Sequence, residues 1–369
     1  MSDLPFVSVV IPARNEEKFI GKCIESILNG TYPKDKLEIL VVDGMSEDRT
    51  EEIVDRYKKE YPSLIKLLKN EKIYTPCGLN MGIKNSKGDI VMMGGAHTAF
   101  SENYIAECVK KLMKGYDVAG GIVKTLPRDG KPLSKAIANV LKHPFGVGGA
   151  KYRTKEDLKE DIEVDTVAYG LYKREIFDEV GLFNENLIRN QDIELNLRIK
   201  RSGRKIILVP SAKAFYHARN TLKGLWKNNF GNGFWVIWSL KFAKLPFSIR
   251  HVVPLAFVLF LIFGSLLSFL WKPFIYFFGS VLGLYMLLLF ISSVQIASKE
   301  KSVMIFFYSI VSFLTLHVSY GVGSLWAVMK WIYLILILNK LNCNIHFNVR
   351  GILRNSKSHP RRENDGSLR

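Results

Sequence analysis

The sequence has few cysteines and begins without a targeting signal. Four cysteines occur in 369 residues, at Cys23, Cys77, Cys108 and Cys343. Their spacing matches neither a metal site nor a disulfide framework, which excludes a small disulfide-stabilised fold and fits a reducing compartment. Residues 1–5 lack the basic start and apolar core of a signal peptide, so we expect the N-terminal region to stay in the cytosol.

Acidic residues are also scarce relative to basic ones. The 34 Asp and Glu residues against 52 Lys and Arg give a formal net charge of +18. Such an excess attracts nucleic acid, an anionic membrane surface or phosphorylated substrates. Basic residues cluster just before the first long apolar run, where a cytoplasmic membrane face attracts them: Lys223, Lys227, Lys241, Lys244 and Arg250. The expected partner is the membrane and not nucleic acid.

Long apolar runs are absent from the first two thirds of the chain and frequent in the last third. Residues 252–270 and 273–297 are each long enough to cross a hydrocarbon layer, which needs about 20 residues. Residues 303–338 predict either one long span or two short spans broken near Gly321 and Gly323. The positive-inside rule places the basic tail in the cytosol and slightly favours four spans over three.

The first hundred residues alternate between strand and helix patterns. Residues 7–11 are typical of a buried strand, and residues 16–28 place apolar side chains on one helical face. The pattern continues with strands at 38–42, 65–68 and 90–93 and helices at 50–57 and 78–85. Such a series predicts a mostly parallel sheet with helices on both faces.

The pattern is less regular in the next part of the chain. We expect a helix from 102 to 114, a strand at 118–123 and a polar, loop-rich stretch through 155. Further elements are a strand at 166–171, a helix at 192–201 closed by Gly203, and a strand at 205–209 ending at Pro210. Residues 222–247 interleave aromatic side chains with lysines, which fits helices in the membrane interface or, alternatively, core packing.

The loop after the first strand has no glycine. It reads Pro12-Ala13-Arg14-Asn15-Glu16, which excludes the glycine-rich fingerprint of a dinucleotide-binding fold. Instead, the second strand ends at Asp43-Gly44, followed by Ser46, Asp48 and Thr50. These polar groups lie at the carboxyl edge of the predicted sheet, where open α/β folds bind their ligands.

Several of these segments resemble family 2 glycosyltransferases. They are residues 7–16, Asp43-Gly44-Met45-Ser46-Glu47-Asp48-Arg49-Thr50, and Gly88-Asp89 before a strand. The run Asn190-Gln191-Asp192-Ile193-Glu194-Leu195-Asn196-Leu197-Arg198 is similar to the succinoglycan-biosynthesis-like branch of that family. The resemblance covers roughly residues 5–240. It implies an inverting enzyme with a GT-A fold that uses a nucleoside-diphosphate sugar.

The resemblance also implies roles for individual residues. The nucleotide sugar is expected to bind Pro12, Asn15, Glu16, Asp43, Gly95 and Ala96. Asp43 is expected to accept a hydrogen bond from the nucleobase or ribose of the donor. Alternatively, it only forms a turn, as an aspartate before glycine often does. Asp48 is expected to cap the helix that begins near Thr50.

Asp192 is the expected catalytic base. A carboxylate must accept the proton of the acceptor hydroxyl that attacks the anomeric carbon. The same carboxylate also suits a helix N-terminus, and the two roles are compatible. Gln191, Glu194 and Arg198 are expected to line the acceptor site or orient it, while Glu194 and Arg198 also have the spacing of a helical ion pair.

The element that holds a divalent cation in this family departs from its usual pattern. The family places an acidic residue first in an Asp-x-Asp or Asp-x-His element, whereas this chain has Gly95-Ala96-His97. His97 is then the remaining candidate ligand for Mn²⁺ or Mg²⁺, or alternatively a structural or substrate-contacting histidine. His217 is a second candidate that would favour Mn²⁺, with a structural role as the alternative that is preferred for it. Alternatively, Arg219 or Lys223 stabilises the leaving diphosphate without a metal.

Together these observations predict an α/β protein. A cytosolic, Rossmann-like GT-A domain (residues 1–221) is followed by an amphipathic interfacial segment (222–250), three or four transmembrane helices (251–340) and a basic tail (341–369). The expected activity is transfer of a sugar, from a UDP-sugar above all, to a polyprenyl-linked, glycolipid or polysaccharide acceptor at the cell membrane. The alternative is a catalytically weak nucleotide-binding scaffold in glycan assembly.

Overall fold

In the computed structural model, which describes residues 4–243 and 251–355, a mixed α/β domain is followed by long helices. The strands are β1 (Val7–Ala13), β2 (Leu37–Asp43), β3 (Ile65–Lys69), β4 (Ile90–Met93), β5 (Thr98–Phe100), β6 (Val118–Leu126), β7 (Ile162–Glu163), β8 (Leu171–Lys173) and β9 (Ile206–His217). The helices of this domain are α1 (Ile20–Leu28), α2 (Thr50–Glu60), α3 (Thr75–Asn85), α4 (Tyr104–Met113), α5 (Pro132–Val140), α6 (Pro144–Val147), α7 (Lys151–Thr154), α8 (Glu175–Val180) and α9 (Gln191–Arg201).

The sheet combines a parallel half with a mixed half. Its strand order is β3-β2-β1-β4-β8-β6-β9-β5, and β7 pairs with β9. Strands β1 to β4 are parallel, as predicted. Beyond β4, however, β8 is antiparallel to both β4 and β6, and β5 and β7 are antiparallel to β9. The prediction of a mostly parallel sheet is therefore correct for the first half only.

Helices cover both faces of the sheet, which explains why β1 and β2 have little alternation of apolar and polar residues. One core packs α1, α2 and α4 against the sheet, and the other packs α3, α8 and α9 against the opposite face. In α1, for example, the buried side chains are Ile20, Cys23, Ile24, Ile27 and Leu28, the stripe expected of an amphipathic helix.

Two strand predictions in the second half were wrong. Residues 166–170 form a bend rather than a strand, and the backbone of Tyr169 has a positive φ of 53°. Strand β9 does not end at Pro210 but continues to His217. Proline is tolerated there because the register against β6 shifts between Gly121 and Ile122, and an irregular strand position needs no ladder hydrogen bond from the proline nitrogen.

The stretch predicted to be loop-rich contains the short helices α5 to α7. Buried residues of α5, among them Ala136, Ile137 and Val140, pack with Leu289 and Phe313 from the C-terminal helices. Helix α5 was not predicted because its apolar face packs against residues that lie about 150 positions or more further along the chain. This stretch therefore connects the α/β domain to the apolar end of the chain.

The C-terminal helices are α10 (Leu222–Trp238), α11 (Val253–Leu270), α12 (Phe274–Glu300) and α13 (Val303–Asn355). Three stretches of the described residues are long and apolar enough to cross a membrane: Val253–Leu270, Phe274–Glu300 and Val303–Ile337. Most side chains in these stretches face outwards. Helix α13 runs without a break through Gly321 and Gly323, so the break behind the preference for four spans is not observed.

Helix α10 covers most of the segment predicted to be interfacial. Residues 244–250 of that segment and residues 356–369 of the basic tail lie outside the described residues. One face of α10 packs closely against α13. A Cβ atom added at Gly233 would lie 1.9 Å from the carbonyl oxygen of Tyr320, and Ser324 Oγ donates a hydrogen bond to Gly233 O at 3.0 Å. Only a glycine allows this approach of the two backbones, as is common where helices pack in membranes.

Candidate active site

A pocket of about 410 Å³ opens at the carboxyl ends of β1, β2 and β4. This is the edge at which α/β sheets bind ligands. Seven residues predicted for the site line it: Pro12, Glu16, Gly95, Ala96, His97, Gln191 and Asp192. The fold therefore brings together residues from the first strand, the fourth strand and the ninth helix, which are up to 180 positions apart.

The loop after β1 is held by hydrogen bonds to the loop after β2. Asn15 has a positive φ of 54°, its N–H donates to Ser46 Oγ at 2.9 Å, and its side-chain oxygen accepts from Glu47 N at 2.8 Å. Glu16 N donates to Thr50 Oγ1 at 2.7 Å. The predicted helix began at residue 16, whereas α1 begins at Ile20. The hydrogen bonds explain the difference, because they hold the preceding residues in the loop.

Asp43 ends β2 and is almost completely buried. Its carboxylate accepts hydrogen bonds from Ser46 Oγ at 2.5 Å and Ser46 N at 3.0 Å, as a turn-forming aspartate does. Its neighbours Val42 and Gly44 line the pocket. Nearby, Asp48 Oδ1 accepts from the N–H of Thr50, the first residue of α2, at 3.0 Å. The N-cap position itself is occupied by Arg49, and not by Asp48 as had been predicted, so Asp48 satisfies the start of the helix from one position further out.

Asp192 lies in the first turn of α9 and faces the pocket. The side chain is open to the pocket space, yet the surrounding walls remove much of the water from its carboxylate. This desolvation raises the pKa of Asp192, while N–H groups at the start of α9 and the positive charge of Arg153 oppose the rise. A carboxylate with a raised pKa is a better proton acceptor than an ordinary aspartate.

The position of the missing carboxylate, at Gly95, is occupied by the ring of Tyr169. A Cβ atom added at Gly95 would lie 2.6 Å from Tyr169 Cε1, so an aspartate does not fit without movement of the ring. Tyr169 lines the same pocket, and burial raises the pKa of its hydroxyl to about 12. The Tyr169 ring therefore fills the space that a side chain at position 95 would need.

His97 and Glu16 form a pair of potential cation ligands at the pocket wall. His97 Nδ1 lies 3.2 Å from Glu16 Oε1. Two ligands at right angles on a cation with metal–ligand distances of about 2.1 Å are themselves about 3 Å apart, so this spacing suits a shared ion. The described residues contain no group of three or more His, Cys, Asp or Glu side chains that could hold a metal. The pair therefore fits a cation that takes its other ligands from a bound diphosphate.

His217, the second metal candidate, lines a neighbouring cavity of about 170 Å³ that it shares with His97. Its Nδ1 lies 3.4 Å from the carbonyl oxygen of Pro127. The main pocket does not include His217 among its lining residues.

The three residues predicted around the acceptor are separated by the fold. Gln191 lines the main pocket, whereas Glu194 and Arg198 line a different surface cavity. Glu194 is buried and pairs with Arg198 through two contacts, at 2.6 and 2.9 Å. Arg198 also donates to the carbonyl oxygens of Val180, Gly181 and Leu182, so the pair ties α9 to the end of α8.

Sequence reasoning missed Arg153, which α7 places at the pocket. Its guanidinium stacks over the ring of Tyr216 at 5.2 Å, and its Nε is buried without a hydrogen-bond partner among the described residues. The signal was an aromatic residue beside an arginine, Tyr152-Arg153, in the stretch predicted to be a loop. Other lining residues that were missed come from the β3–α3 loop and the 166–170 bend: Asn70, Ile73, Tyr74, Thr75, Val167 and Ala168.

Comparisons with known proteins agree with this geometry. The model of glycosyl transferase family 2 matches residues 8–181. A dolichyl N-acetyl-alpha-D-glucosaminyl phosphate 3-beta-D-2,3-diacetamido-2,3-dideoxy-beta-D-glucuronosyltransferase of Methanococcus voltae is 28% identical over 301 residues, which cover 80% of this chain and 89% of that protein. The succinoglycan biosynthesis protein ExoA of Rhizobium meliloti is 28% identical over 264 residues, covering 70% of this chain and 77% of ExoA.

A solved structure shows the same fold. The mannosyltransferase of Pyrobaculum calidifontis, in complex with GDP-Man and Mn²⁺, is similar with a TM-score of 0.58 over 88% of each chain, at 17% sequence identity. The mixed Rossmann-like sheet, the family match and the relatives over most of the chain lead to one conclusion. Residues 8–181 form a glycosyltransferase family 2 domain, and the chain is a glycosyltransferase with a GT-A domain followed by long apolar helices.

Proposed function

We propose that the chain transfers a sugar, with inversion at the anomeric carbon, from a nucleoside-diphosphate sugar to a membrane-associated acceptor. The observation that carries this proposal is the Asp192 carboxylate, which lines the same pocket as the loops after β1, β2 and β4. A base on one side and a diphosphate site on the other are what an in-line displacement requires.

In this reaction Asp192 accepts the proton of the acceptor hydroxyl. The hydroxyl oxygen forms a bond to the anomeric carbon while the bond from that carbon to the diphosphate breaks, and the nucleoside diphosphate leaves. The nucleoside is assigned to the end of the pocket beside Val42, Gly44 and Asn70, next to Asp43. The donor preference to be tested is a UDP-sugar against a GDP-sugar, since the solved neighbour contains GDP-Man.

Glu16 and His97 are the residues that would hold a divalent cation. A cation bound there neutralises negative charge on the departing diphosphate. The mixed nitrogen and oxygen ligands favour Mn²⁺ over Mg²⁺, which prefers oxygen ligands only. The solved neighbour with the same fold contains Mn²⁺, which is consistent with this choice.

The acceptor is assigned to the membrane side of the site. Helices α5 and α6 contact α12 and α13, and Phe145 O lies 2.9 Å from Nε2 of His317 in α13. The α/β domain that contains the pocket thus packs directly on helices that can span a membrane. The relative from Methanococcus voltae acts on a dolichyl-linked phosphate and ExoA serves succinoglycan biosynthesis, which supports a lipid-linked or polysaccharide acceptor. We place the catalytic domain on the cytoplasmic face because basic residues precede the first apolar run.

The test is donor turnover by the purified full chain in phospholipid nanodiscs, with Mn²⁺, with Mg²⁺ and with chelator. Release of nucleoside diphosphate from UDP- and GDP-sugars identifies the donor. Asp192→Asn keeps the size of the side chain but removes the proton acceptor, so we expect transfer to fall about 10²–10⁴-fold. Donor affinity should remain within about twofold of the wild type, since the donor loops lie on the other wall.

Asp165→Asn is the matched control, because Asp165 is a half-exposed carboxylate that pairs with Lys200 on the outer surface. It should keep full transfer activity. An Asp192→Asn variant that transfers sugar at the wild-type rate would remove Asp192 from the base role. A wild-type protein that binds donors without turning any of them over would instead favour the scaffold alternative.

A further inference from the structure

Three arginines, one lining the pocket and two beside helix α10, have no acidic partner among the described residues. Arg153, Arg189 and Arg219 form no ion pair with an aspartate or glutamate among the described residues. Arg198 and Arg204 are different: Arg198 pairs with Glu194, and Arg204 contacts three carboxylates. Uncompensated cations in one region repel one another, and the fold keeps them together at a cost in stability.

Helix α10 positions two of these arginines. Arg189 Nη1 donates to the side-chain oxygens of Asn228 at 3.2 Å and Asn232 at 2.9 Å. A Cβ atom at Gly231 would lie 3.2 Å from Arg189 Cζ, and one at Gly224 would lie 3.4 Å from Arg219 Cβ. Residues 224, 228, 231 and 232 have the spacing of one helical face. Both arginines therefore lie along the same side of α10, opposite its contact with α13.

The charges of this group interact with one another and with the pocket. Burial, and after it the charge of Arg219, lower the pKa of Arg189, and Tyr216 lies close enough to oppose this effect. The guanidinium of Arg153 also lies over the ring of Tyr216, with Cζ 5.2 Å from the ring centroid. Tyr216 thus lies between Arg153 and Arg189, Arg219 lies close to Arg189, and Arg153 extends the positive charge to Asp192.

The polar partners of these arginines are all neutral, and one donor has none. Arg189 bonds to asparagine oxygens and the carbonyl of Asn228, which orient a guanidinium without neutralising it. Arg153 Nε is buried without a partner among the described residues. A buried donor left unsatisfied costs free energy, and a charged acceptor that reaches it restores that loss. Arginine in such a setting binds phosphate through its planar fork of N–H groups.

We propose that Arg153, Arg189 and Arg219 form a binding site for the phosphate group of a membrane-anchored acceptor, adjacent to Asp192. The inference rests on the proposed function and adds the substrate class: an isoprenoid lipid whose phosphate or diphosphate carries the acceptor group. The site lies on the α9–α10 side, and α10 packs on α13 through Gly233. An apolar tail can therefore follow the long helices while its phosphate reaches the arginines.

Phosphate could also come from the donor, and a binding experiment separates the two sources. The full chain in phosphatidylcholine nanodiscs is titrated with farnesyl phosphate, farnesyl diphosphate, farnesol and nucleoside diphosphate, at low and high salt. The wild type should bind the two farnesyl phosphates more tightly than farnesol, and salt should weaken this binding because exposed charges are screened.

In the Arg189→Gln/Arg219→Gln double variant, affinity for the farnesyl phosphates should fall about tenfold or more, since charge-assisted hydrogen bonds are lost. Affinity for nucleoside diphosphate should stay within about twofold, which also shows that the variant is folded. The single variant Arg219→Gln should disturb the fold less, because this arginine is exposed and forms no hydrogen bond with the asparagines of α10. Its affinity for the farnesyl phosphates should fall by less than that of the double variant. Arg56→Gln, an exposed arginine on α2, is the matched control and should bind all ligands normally.

The outcomes are distinct. Unchanged farnesyl phosphate affinity in the double variant, or loss of nucleoside diphosphate affinity alone, would overturn the inference. A wild-type protein that turns over a nucleotide sugar but binds no farnesyl phosphate would overturn the acceptor site while leaving the proposed function intact. Failure of both donor turnover and donor binding would contradict the proposed function itself, and the inference with it.

Discussion

The two walls of the pocket differ in how their polar groups are satisfied. On the donor wall, the loops after β1 and β2 bond to one another: Asn15 to Ser46 and Glu47, and Glu16 to Thr50. The acceptor wall is the proposed acceptor site, formed by Arg153 at the pocket and by Arg189 and Arg219 beside α10. There Arg189 bonds to asparagine oxygens and Arg153 lies over an aromatic ring, and none of the three arginines has an acidic partner among the described residues. The donor wall is therefore preorganised by the chain itself, whereas the acceptor wall has positive charge available for a ligand.

The walls also differ in what supports them. The donor loops leave strands whose cores are closed within the α/β domain. Arg189 and Arg219 depend on α10, whose other face rests on α13 and not on the sheet. Acceptor binding should therefore be sensitive to changes among the membrane helices, while donor binding should not be.

The strongest test of this difference is Gly233→Leu. A side chain at this position meets the backbone of α13 at Tyr320, which cannot move aside as a flexible side chain does. The resulting displacement of α10 should shift Arg189, and a misplacement of about 1 Å can cost about 100-fold in rate. We expect transfer, measured with a lipid-linked acceptor, to fall by about that factor while donor affinity is retained.

Gly279→Leu is the matched control, because a Cβ atom at Gly279 meets open space on α12. This variant should transfer sugar normally. If Gly233→Leu reduced donor affinity as strongly as transfer, the two walls would form one cooperative unit and the difference between them would not hold.

A smaller effect is expected from Glu16→Gln on the donor wall. The change keeps the loop hydrogen bond of Glu16 N but removes the carboxylate beside His97. Binding of Mn²⁺ in the presence of nucleoside diphosphate, measured by calorimetry or electron paramagnetic resonance, should weaken about tenfold, the value of a lost charged ligand contact. Farnesyl phosphate binding should be unaffected.

Glu47→Gln provides the comparison for this variant, since Glu47 is an exposed carboxylate on the facing loop. It should bind Mn²⁺ as the wild type does. Equal Mn²⁺ affinity in Glu16→Gln and wild type would exclude Glu16 as a ligand and leave His97 with the diphosphate alone.

The same division separates what the sequence predicted from what it did not. Strands β1 to β4 are specified by local apolar runs, and their predicted positions agree with the structure to within two residues at either end. The second half depends on distant partners: β8 is a three-residue strand, and α5 completes its core with residues of α12 and α13. A local pattern cannot reveal an apolar face whose partner lies so far along the chain.

The site shows the same limit. Asp192, Glu16 and His97 were predicted and line one pocket. Arg153 was missed because it belongs to a four-residue helix with no periodic pattern, and Arg189 because its importance comes from asparagines of α10. The sequence showed that Gly95 departs from the usual acidic residue of the family. That the ring of Tyr169 fills the space beside Gly95 became visible only in three dimensions.

The smallest expected effect is on the pH dependence of transfer, and it links the two walls. A general base acts only when ionised, so the rate falls as the pH drops through its pKa. Because desolvation raises the pKa of Asp192, the acidic limb of kcat/KM should lie at higher pH than for an ordinary aspartate. Arg153 opposes this rise, so Arg153→Gln should move the limb to still higher pH, whereas loss of a binding contact alone would change KM without moving the limb.

The control for this shift is Lys151→Gln, which removes a positive charge from the same short helix on its exposed side. Its pH profile should match the wild type, since a charge in water is screened from the pocket. A limb that stayed in place or moved to lower pH in Arg153→Gln would show that this guanidinium does not act on Asp192. A shift to higher pH would instead show that Arg153 helps to keep the Asp192 carboxylate ionised. An acceptor phosphate bound beside Arg153 would then offset the charge of this arginine and raise the pKa of Asp192. Asp192 would therefore become a stronger proton acceptor once the acceptor is in place.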